Sequence, residues 1–414
     1  MPFSTVLSFP PWLIFLITPP LLIASILAIT RFLTTLRYRL TLPYHTTSPS
    51  QSDEKHVPHA PVQIPYTIPF LGSALDFLAP KPGLFWTTLF KTHPRSTGAC
   101  TLLLAGRPLH VLFDPSAVHA LFQARGPSRD QMNVEIIVKA LDFPESEVSK
   151  FYDSSPEVDE RGLTAAQRLN RTHDLLLKTE HVNGLTAEFS RVMRHELSAY
   201  ETEAQTVDLY AWLQKRMFKA STSAFFGSRI MEMHPNFCDD FFAFDRVFLS
   251  LFFGIPKIFM RKAIAARDRC RVTFEKWHAE MERETGGEIA DPEGEVDWEP
   301  CFGSRANRNR QLYYRAQKLS LRARGAMDLG FLFGLSSNAI PCAGWMLLHI
   351  LKSPEVPGTG TDHSPDLLPR VMKEVQRARR SDGNLDVPAL IGSPLLQSIL
   401  NEVLRLYVDV LVTR

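Results

Sequence analysis

The chain has 414 residues, of which 45% are hydrophobic, and its 46 lysines and arginines nearly balance its 44 aspartates and glutamates. This length suffices for one large domain or two ordinary ones, and the near-neutral charge without a dense basic stripe argues against a nucleic-acid-binding protein. Five cysteines without a CxxC spacing and 13 scattered histidines without an HExxH pair predict a reducing compartment, no disulfide framework and no zinc site.

The N-terminal segment is apolar. The first thirty residues carry no charged side chain and are rich in Leu, Ile, Phe and Pro, whereas Arg31, Arg37 and Arg39 follow at once. A membrane span needs about 20 predominantly apolar residues, and its basic flank lies on the cytosolic side. A secretory signal has a basic n-region and a small-residue cleavage site, and neither is evident. Residues 1–33 are therefore predicted to be an uncleaved membrane anchor with the rest of the chain in the cytosol.

Four prolines leave an alternative for this segment. Pro10, Pro11, Pro19 and Pro20 each weaken the prediction of a helix, because proline lacks a backbone N–H and kinks the chain. A buried or re-entrant segment is the alternative to a membrane-spanning helix.

A linker is predicted next. Residues 43–64 are rich in Ser, Thr, His and Pro and show no apolar period. We place the linker at residues 34–64 and a single folded domain at residues 65–414. The domain opens with a proline-rich segment that ends at Gly72, where two prolines and a glycine predict a rigid turn.

A short β-hairpin follows this turn. Residues 101–104 and 109–113 are apolar runs that suit two strands, and residues 105–108, Ala-Gly-Arg-Pro, would join them. Asp114 then suits the N-cap of a helix that has Pro115 in its first turn.

The middle of the chain is predicted to be mostly helical. Apolar residues recur at spacings of three and four over residues 164–350. Residues 326–351 form a long apolar segment in which only Asp328 and His349 could carry a charge. Pro341 would kink this helix, and small polar residues one turn earlier could satisfy the freed carbonyls. A widened groove with a polar lining suits oxygen activation over a flat cofactor; a kinked core helix is the alternative.

A helix near the end of the chain carries the last motif. Ser393 suits the N-cap of this helix and Pro394 its first position. Its apolar positions fall on one face, at Leu395, Leu396, Ile399, Leu400, Val403 and Leu404. Glu402 and Arg405 are three residues apart and so are neighbours on the helix surface. Taken alone, they predict an ordinary surface ion pair, which contributes about 0–1 kcal/mol.

Taken together, these features resemble a microsomal cytochrome P450, a haem-thiolate monooxygenase. The anchor, the hinge ending at Gly72, the hairpin, the long central helix and the Glu402-x-x-Arg405 motif follow the order of that family. The resemblance covers roughly residues 65–414 and implies a mostly α fold with a small β subdomain, preceded by one transmembrane helix. It also implies haem, a small apolar substrate, an NADPH-dependent reductase and contact with membrane lipid. The implied location is the endoplasmic reticulum membrane, single-pass, with the main domain cytosolic.

The resemblance assigns roles to particular residues. Ser337 and Asn338 stand where the family carries the acid and the alcohol that deliver protons to bound dioxygen, and Glu402 and Arg405 would be structural supports. Asn at this point is similar to the branch that contains sterol 7α- and 12α-hydroxylases and prostacyclin synthase. The implied reaction is hydroxylation of a sterol-, terpenoid- or lipid-like substrate. An isomerisation that needs no proton delivery is the alternative.

Two further segments acquire roles from the resemblance. Arg168, Arg171 and His173 fall where the family places a helix whose cations meet the haem propionates; an exposed basic helix face is the alternative. Seven phenylalanines crowd residues 237–253, where the family would roof its substrate pocket. A phenylalanine-rich core helix is equally compatible with that pattern.

The family's proximal cysteine is missing from the sequence. It follows the ExxR helix in a loop of the form Phe-x-x-Gly-x-x-x-Cys, and its thiolate pushes electron density onto the iron. All five cysteines precede Glu402, and none has these surroundings. We therefore expect that the chain is truncated before its haem-ligand region, holds no thiolate-ligated haem and is inactive as given. A non-catalytic membrane-anchored remnant or a lipid-binding protein is the alternative from another class.

Overall fold

A computed structural model provides the three-dimensional structure of the chain. It describes residues 11–46, 60–77, 82–93, 98–124, 130–152, 158–198, 206–253, 255, 257–289, 296–352, 367–381 and 383–407. The chain folds as two compact units, one within residues 1–129 and one within residues 130–408.

The N-terminal unit begins with a long helix, α1 (Pro11–Thr46), which contains Pro19 and Pro20. Residues 18–42 of this helix are long and apolar enough to cross a membrane, and none of their most apolar window is buried. The helix continues through residues 34–46, which the sequence pattern assigns to the linker. Residues 31–42 contain neither glycine nor proline, and Pro43 lies in the last turn. Residues 47–59 of that linker lie outside the described residues.

Hydrogen bonds fix the second half of α1 to the segment that follows the linker. The Arg31 Nη1 donates to the carbonyl of Pro65 at 2.9 Å, and the Thr34 hydroxyl donates to the carbonyl of Tyr66 at 2.9 Å. The Tyr38 hydroxyl lies 2.9 Å from Nδ1 of His93. The second half of α1 is therefore part of the folded unit.

The remaining elements of this unit are two short helices, a hairpin and a final helix: α2 (Ala74–Phe77), α3 (Pro82–Thr92), β1 (Ala99–Leu104), β2 (Arg107–Leu112) and α4 (Pro115–Gln123). The strands β1 and β2 pair antiparallel along their whole length, so the predicted hairpin is confirmed. Its turn has two residues rather than four, Ala105 and Gly106, with φ angles of 48° and 81°. Positive φ at both positions is typical of the two-residue turns that match the twist of a hairpin.

The predicted cap of α4 is also confirmed. The Asp114 carboxylate accepts from the backbone N–H of Ala117 at 2.9 Å, and Pro115 occupies the first turn. The carboxylate thus satisfies an amide that has no acceptor within the helix.

The second unit is helical with one very small sheet. Its α-helices and strands are α5 (Asp130–Glu135), α6 (Ala165–Thr172), α7 (Thr179–Ser198), α8 (Leu209–Phe226), α9 (Arg229–Met233), α10 (Phe237–Asp245), α11 (Phe248–Phe252), α12 (Arg261–Glu284), β3 (Trp298–Glu299), β4 (Gly303–Ser304), α13 (Arg305–Ala316), α14 (Leu321–Ser336), α15 (Ala339–Leu351), α16 (Leu367–Arg377), α17 (Val387–Ile391) and α18 (Pro394–Tyr407). The predicted class, mostly α with small sheets, is confirmed.

Aromatic side chains dominate the core of this unit. Phe218, Phe226, Phe274 and Trp277 are fully buried, and the rings of Phe226 and Trp277 meet edge to face at 6.0 Å. Helices α12 and α14 pack closely on each other, since a Cβ on Gly325 would lie only 2.9 Å from a backbone oxygen of α12. A side chain at this position would push the two helices apart.

A smaller apolar cluster joins α15, α16 and α18. It contains Ile350, Val371, Ile399 and Val403. The N-terminus of α18 is capped from outside the helix, because the two carboxylate oxygens of Glu374 accept from the amides of residues 395 and 396, each at 3.2 Å. The sequence had suggested Ser393 as the cap; its hydroxyl instead donates backwards to the carbonyl of Ala389 at 3.1 Å.

Replacing this cap should weaken the attachment of α18. We expect Glu374→Ala to lower the free energy of unfolding by about 1–2 kcal/mol, since two helix N-terminal amides lose their acceptors. Ser393→Ala, the matched control, should cost less than about 0.5 kcal/mol. Urea unfolding of the full chain, followed by circular dichroism, measures both. Equal losses in the two variants would contradict the cap described here.

Candidate functional site

The long apolar helix predicted over residues 326–351 is two helices, α14 and α15, separated by Ser337 and Asn338. Helical hydrogen bonds continue on both sides of the break: Ser337 N–H donates to Phe333 at 3.0 Å, and Cys342 N–H donates to Asn338 at 3.1 Å. Pro341 accounts for the break, because it has no N–H to offer the carbonyl four residues earlier, that of Ser337. The predicted kink is therefore a full interruption of the helix.

An acid from another helix lies at this break. The Ser337 hydroxyl donates to Oδ1 of Asp245, the last residue of α10. Burial raises the pKa of Asp245, and the hydrogen bond from Ser337 and the charge of Arg246 offset this effect only in part. The break thus combines a hydroxyl with a carboxyl group that takes up a proton more readily than an exposed aspartate.

The other residue of the break faces outward. Asn338 and Gly334 are exposed, and a Cβ on Gly334 would meet nothing within 4 Å. Trp345, seven residues after Asn338 and so on the same side, is 39% exposed, and its ring stacks on that of Tyr407 at 3.9 Å. We call the exposed surface formed by Gly334, Asn338 and Trp345 the open face.

The phenylalanine-rich segment divides between core and periphery. Phe237, Phe241 and Phe244 of α10 are at most 1% exposed, as expected for a core helix. Phe248 of α11 is only partly buried and stacks on Phe333 of α14, with ring centroids 3.9 Å apart. The core interpretation therefore holds for α10, while α11 lies against α14 one turn before the break.

A buried carboxylate organises the helices behind the break. Asp328 of α14 is fully buried, and its two oxygens accept from four side chains of α12 and α13. The donors are His278 at 2.9 Å, Arg310 at 3.1 Å, Gln311 at 3.1 Å and Tyr314 at 3.0 Å. An ionised carboxylate offers about four acceptor positions, so this one is fully satisfied.

The network keeps Asp328 charged despite its burial. Burial alone favours the protonated acid, but the hydrogen bond from His278 and the charge of Arg310 outweigh it, so the pKa of Asp328 is lowered. The same surroundings raise the pKa of Tyr314 far above its usual range, first through burial. Tyr314 therefore acts as a permanent donor.

The three residues predicted to meet haem propionates have different surroundings. The guanidinium of Arg310 donates to Nε2 of His173 at 2.7 Å, so this ring nitrogen is an acceptor and the ring is neutral. Burial, followed by the charge of Arg310, lowers the pKa of His173 to about 4. Arg168 folds back onto the carbonyl of Leu163 at 2.8 Å, and Arg171 is exposed. The ring of His173 is neutral in this arrangement, and propionate binding by Arg168, Arg171 and His173 stays a prediction.

Glu402 and Arg405 form the predicted pair on α18. Nε of the arginine donates to one carboxylate oxygen at 2.8 Å, and an Nη donates to the other at 2.5 Å. Both side chains are more than half exposed. The hydrogen bonds from Arg405 lower the pKa of Glu402. In this structure the pair is a surface ion pair with fork geometry, and its supporting role stays a prediction.

The surroundings of the five cysteines bear on whether a thiolate ligand for iron can form. A thiolate ligand must be deprotonated. Burial raises the pKa of Cys100 and of Cys238 to about 12 and also raises that of Cys270, Cys301 and Cys342. Cys342 lies one helical turn after Asn338, on the same helix as the open face. The surroundings of all five cysteines therefore favour the protonated thiol over the thiolate that haem ligation needs.

Comparison with known proteins identifies the family. The cytochrome P450 family model matches residues 62–414. The chain belongs to the cytochrome P450 family. This family uses haem, so haem is the cofactor that its fold implies.

Several P450 monooxygenases are similar over much of the chain. The P450 monooxygenase efuG of Hormonema carpetanum is 28% identical over 84% of this chain and 62% of its own length. The P450 monooxygenase fsoE of Humicola fuscoatra is 33% identical over 50% of this chain and 35% of its own length. Cytochrome P450 7A1 of Oryctolagus cuniculus is 22% identical over 82% of this chain. The chain thus spans less than two thirds of the length of each of these P450s.

A solved P450 structure supports the fold. The retinoic acid-bound cyanobacterial CYP120A1 superimposes with a TM-score of 0.53 over 83% of this chain and 69% of its own chain, at 17% identity. Such a low identity establishes the shared fold, with no information on the substrate.

Two features of the site have only a weak signal in the sequence. Asp328 was visible as the sole acid in an apolar segment, which is a signal of a buried and paired charge. Its donors, however, lie 14 to 50 residues away on other helices. Asp245 was hidden among phenylalanines, and its position beside Ser337 depends on how α10 packs against α14.

Removing the charge of Asp328 should destabilise the second unit strongly. Asp328→Asn leaves Arg310 buried without its carboxylate, and its amide hydrogens would face donors, so we expect a loss of about 3–5 kcal/mol. Asp239→Asn, at a surface aspartate 3.8 Å from Lys215, should change stability by less than about 1 kcal/mol. Urea unfolding measures both, and a small loss in Asp328→Asn would contradict the role of the network.

Stability should also depend on the protonation of His173. Its folded pKa, about 4, lies below the usual value of 6.5, so the unfolded chain takes up a proton first as the pH falls. The histidine therefore lowers stability progressively from about pH 6.5 to pH 4. Asp328 loses its contribution only at still lower pH, because its pKa is lowered from 3.8. We expect His173→Gln to flatten the decline in urea midpoint between pH 7 and pH 4.5; an unchanged decline would contradict this.

Proposed function

We propose that this chain belongs to a haem-dependent P450 monooxygenase that hydroxylates an apolar, sterol-, terpenoid- or lipid-like molecule. The observation that carries the proposal is the match of the P450 family model to residues 62–414, with the open face of Gly334 and Asn338 inside the matched region. The similar monooxygenases efuG and fsoE support the reaction type.

The break between α14 and α15 would be the oxygen side of this site. The side-chain amide of Asn338 has both donor and acceptor atoms, and it would orient a bound polar group on the open face. Ser337, held by Asp245, would hold a proton beside it. Haem, when bound, would supply the oxidising chemistry. Asn338 would orient the bound polar group, and Ser337 would hold the proton.

A membrane location suits a substrate of this kind. The apolar part of α1 is long enough to span a bilayer, and it is followed by Arg31, Arg37 and Arg39. We propose a single-pass anchor in the endoplasmic reticulum membrane, a cytosolic main domain and electrons from an NADPH-dependent reductase. The apolar substrate would be concentrated in the same bilayer.

The 414 residues by themselves are proposed to lack thiolate-ligated haem. All five thiols have raised pKa values, which disfavours the thiolate. Without that ligand these 414 residues alone would be inactive as a monooxygenase, and a membrane-anchored, lipid-binding role would be the alternative.

The ferrous–CO spectrum tests this proposal. The full chain, expressed with a haem precursor, should show no Soret band at the long wavelength typical of thiolate ligation. Cys342→Ala is the matched control, because a thiolate band that vanished in this variant would identify Cys342 as ligand. A thiolate band in the unaltered chain would overturn the proposal of a missing ligand.

A chimera tests the family function separately. Fusing the part of efuG that lies beyond the aligned region to the end of this chain should produce the thiolate band. Consumption of NADPH only with reductase present would support a monooxygenase, and turnover without reductase would support the isomerase alternative. A chimera that folds but binds no haem would overturn the proposed function.

A further inference from the structure

We propose that the N-terminal unit binds the headgroup of an anionic, hydroxyl-bearing phospholipid, such as phosphatidylinositol, in a cavity beside α1. The cavity has a volume of about 260 Å³ and is lined from three sides of the unit. Its lining comprises Arg37 and Thr41 of α1, residues 60–63, and Thr101, Pro108 and His110 of the hairpin. The inference rests on the proposed membrane anchor.

Hydrogen bonds hold the walls of this cavity in place. The backbone of Thr101 donates to the carbonyl of Val62 at 2.8 Å, and Ile64 donates to the carbonyl of Thr101 at 2.9 Å. The Thr101 hydroxyl donates to the carbonyl of Pro61 at 2.7 Å. The site is therefore preformed, which reduces the entropy lost on binding.

Arg37 would bind the phosphate. Its side chain is exposed at the cavity, and no hydrogen bond or ion pair joins it to any other residue that the structure describes. A guanidinium offers several donors in a fork that matches phosphate oxygens. A cation on a cavity wall that no described residue neutralises favours an anion as ligand.

His110 supplies an acceptor for a hydroxyl. Its Nδ1 lies 2.9 Å from the Thr101 hydroxyl, whose own hydrogen is directed to Pro61. The hydroxyl must then accept from Nδ1–H, so the neutral ring has its lone pair on Nε2. The guanidinium donors of Arg37 and the Nε2 acceptor of His110 together suit a ligand that combines a phosphate with hydroxyl groups, as inositol and glycerol headgroups do.

The position of the cavity along α1 favours a lipid whose headgroup extends far beyond the hydrocarbon core of the bilayer. The first charged residue, Arg31, marks the end of the apolar segment, and Arg37 follows six residues later. At 1.5 Å per residue, Arg37 lies about 9 Å further along the helix axis. The headgroup layer is about 5–8 Å thick on each side of the hydrocarbon core. The Arg37 side chain can extend back toward the phosphate, and the inositol ring beyond that phosphate reaches the height of the cavity, whereas phosphatidic acid has no group beyond its phosphate.

Lipid retention tests the proposal with the full chain. The chain would be reconstituted in phosphatidylcholine vesicles that contain equal minor fractions of phosphatidylinositol and phosphatidic acid, extracted in mild detergent and analysed by native mass spectrometry. We expect retained phosphatidylinositol to be enriched over phosphatidic acid. Arg37→Gln should reduce this retention at least about tenfold, as the loss of a charge-assisted hydrogen bond implies.

Two variants make the test specific. Arg39→Gln removes the same charge from an exposed position of α1 that does not line the cavity, and it should retain the lipid. His110→Leu should abolish the preference for phosphatidylinositol over phosphatidic acid. Equal losses in Arg37→Gln and Arg39→Gln, or no enrichment at all, would overturn the proposal.

Two further experiments distinguish a failure of this inference from a failure of the proposed membrane anchor. Retention of soluble inositol phosphate in preference to phosphatidylinositol, when both are supplied at equal concentration, would show that the occupant is a free phosphate and would overturn the lipid assignment. Carbonate extraction of the same vesicles tests the anchor on its own. A chain that resists extraction but retains no phosphatidylinositol overturns this inference and leaves the anchor standing, whereas a released chain overturns the anchor.

Discussion

The second unit depends on one buried charge. Asp328 is fully shielded from water, and burying an isolated carboxylate would cost several kcal/mol. Four donors from α12 and α13 offset this cost, so the three helices α12, α13 and α14 converge on a single side chain. Since no hydrophobic contact requires so particular an arrangement, the carboxylate fixes how α14 is rotated and how far it slides along its neighbours. The aromatic core fills the space that this arrangement defines.

The position of the break between α14 and α15 depends on the hydrogen bonds to Asp328. Ser337 follows Asp328 by nine residues, which corresponds to about 13.5 Å along α14. Near the break the helix is held again, through the hydrogen bond from Ser337 to Asp245. A helix fixed at two points can be interrupted at Pro341 without losing its register, and Asn338 can then remain on the open side.

Local patterns explain which parts could be predicted. The hairpin, the Asp114 cap and the interruption at Pro341 each follow from turn, cap or proline chemistry within a few residues. The family order likewise needed only motifs and their succession. Asp245, Glu374 and the donors to Asp328 could not be predicted, because each acts across a large sequence separation and depends on packing. The extension of α1 to Thr46 also has little local signal, because residues 34–46 contain Pro43 and four threonines and are followed at once by the polar, proline-rich segment.

The continuation of α1 beyond its apolar part has a geometric consequence. Hydrogen bonds join Arg31, Thr34 and Tyr38 of the helix to Pro65, Tyr66 and His93. The N-terminal unit therefore cannot rotate freely relative to the apolar segment of α1. For a chain anchored as proposed, the tilt and azimuth of α1 in the bilayer would dictate which side of the hairpin is turned toward the lipid. A change in bilayer thickness, which tilts long apolar helices, would then reorient this unit without altering any contact within it.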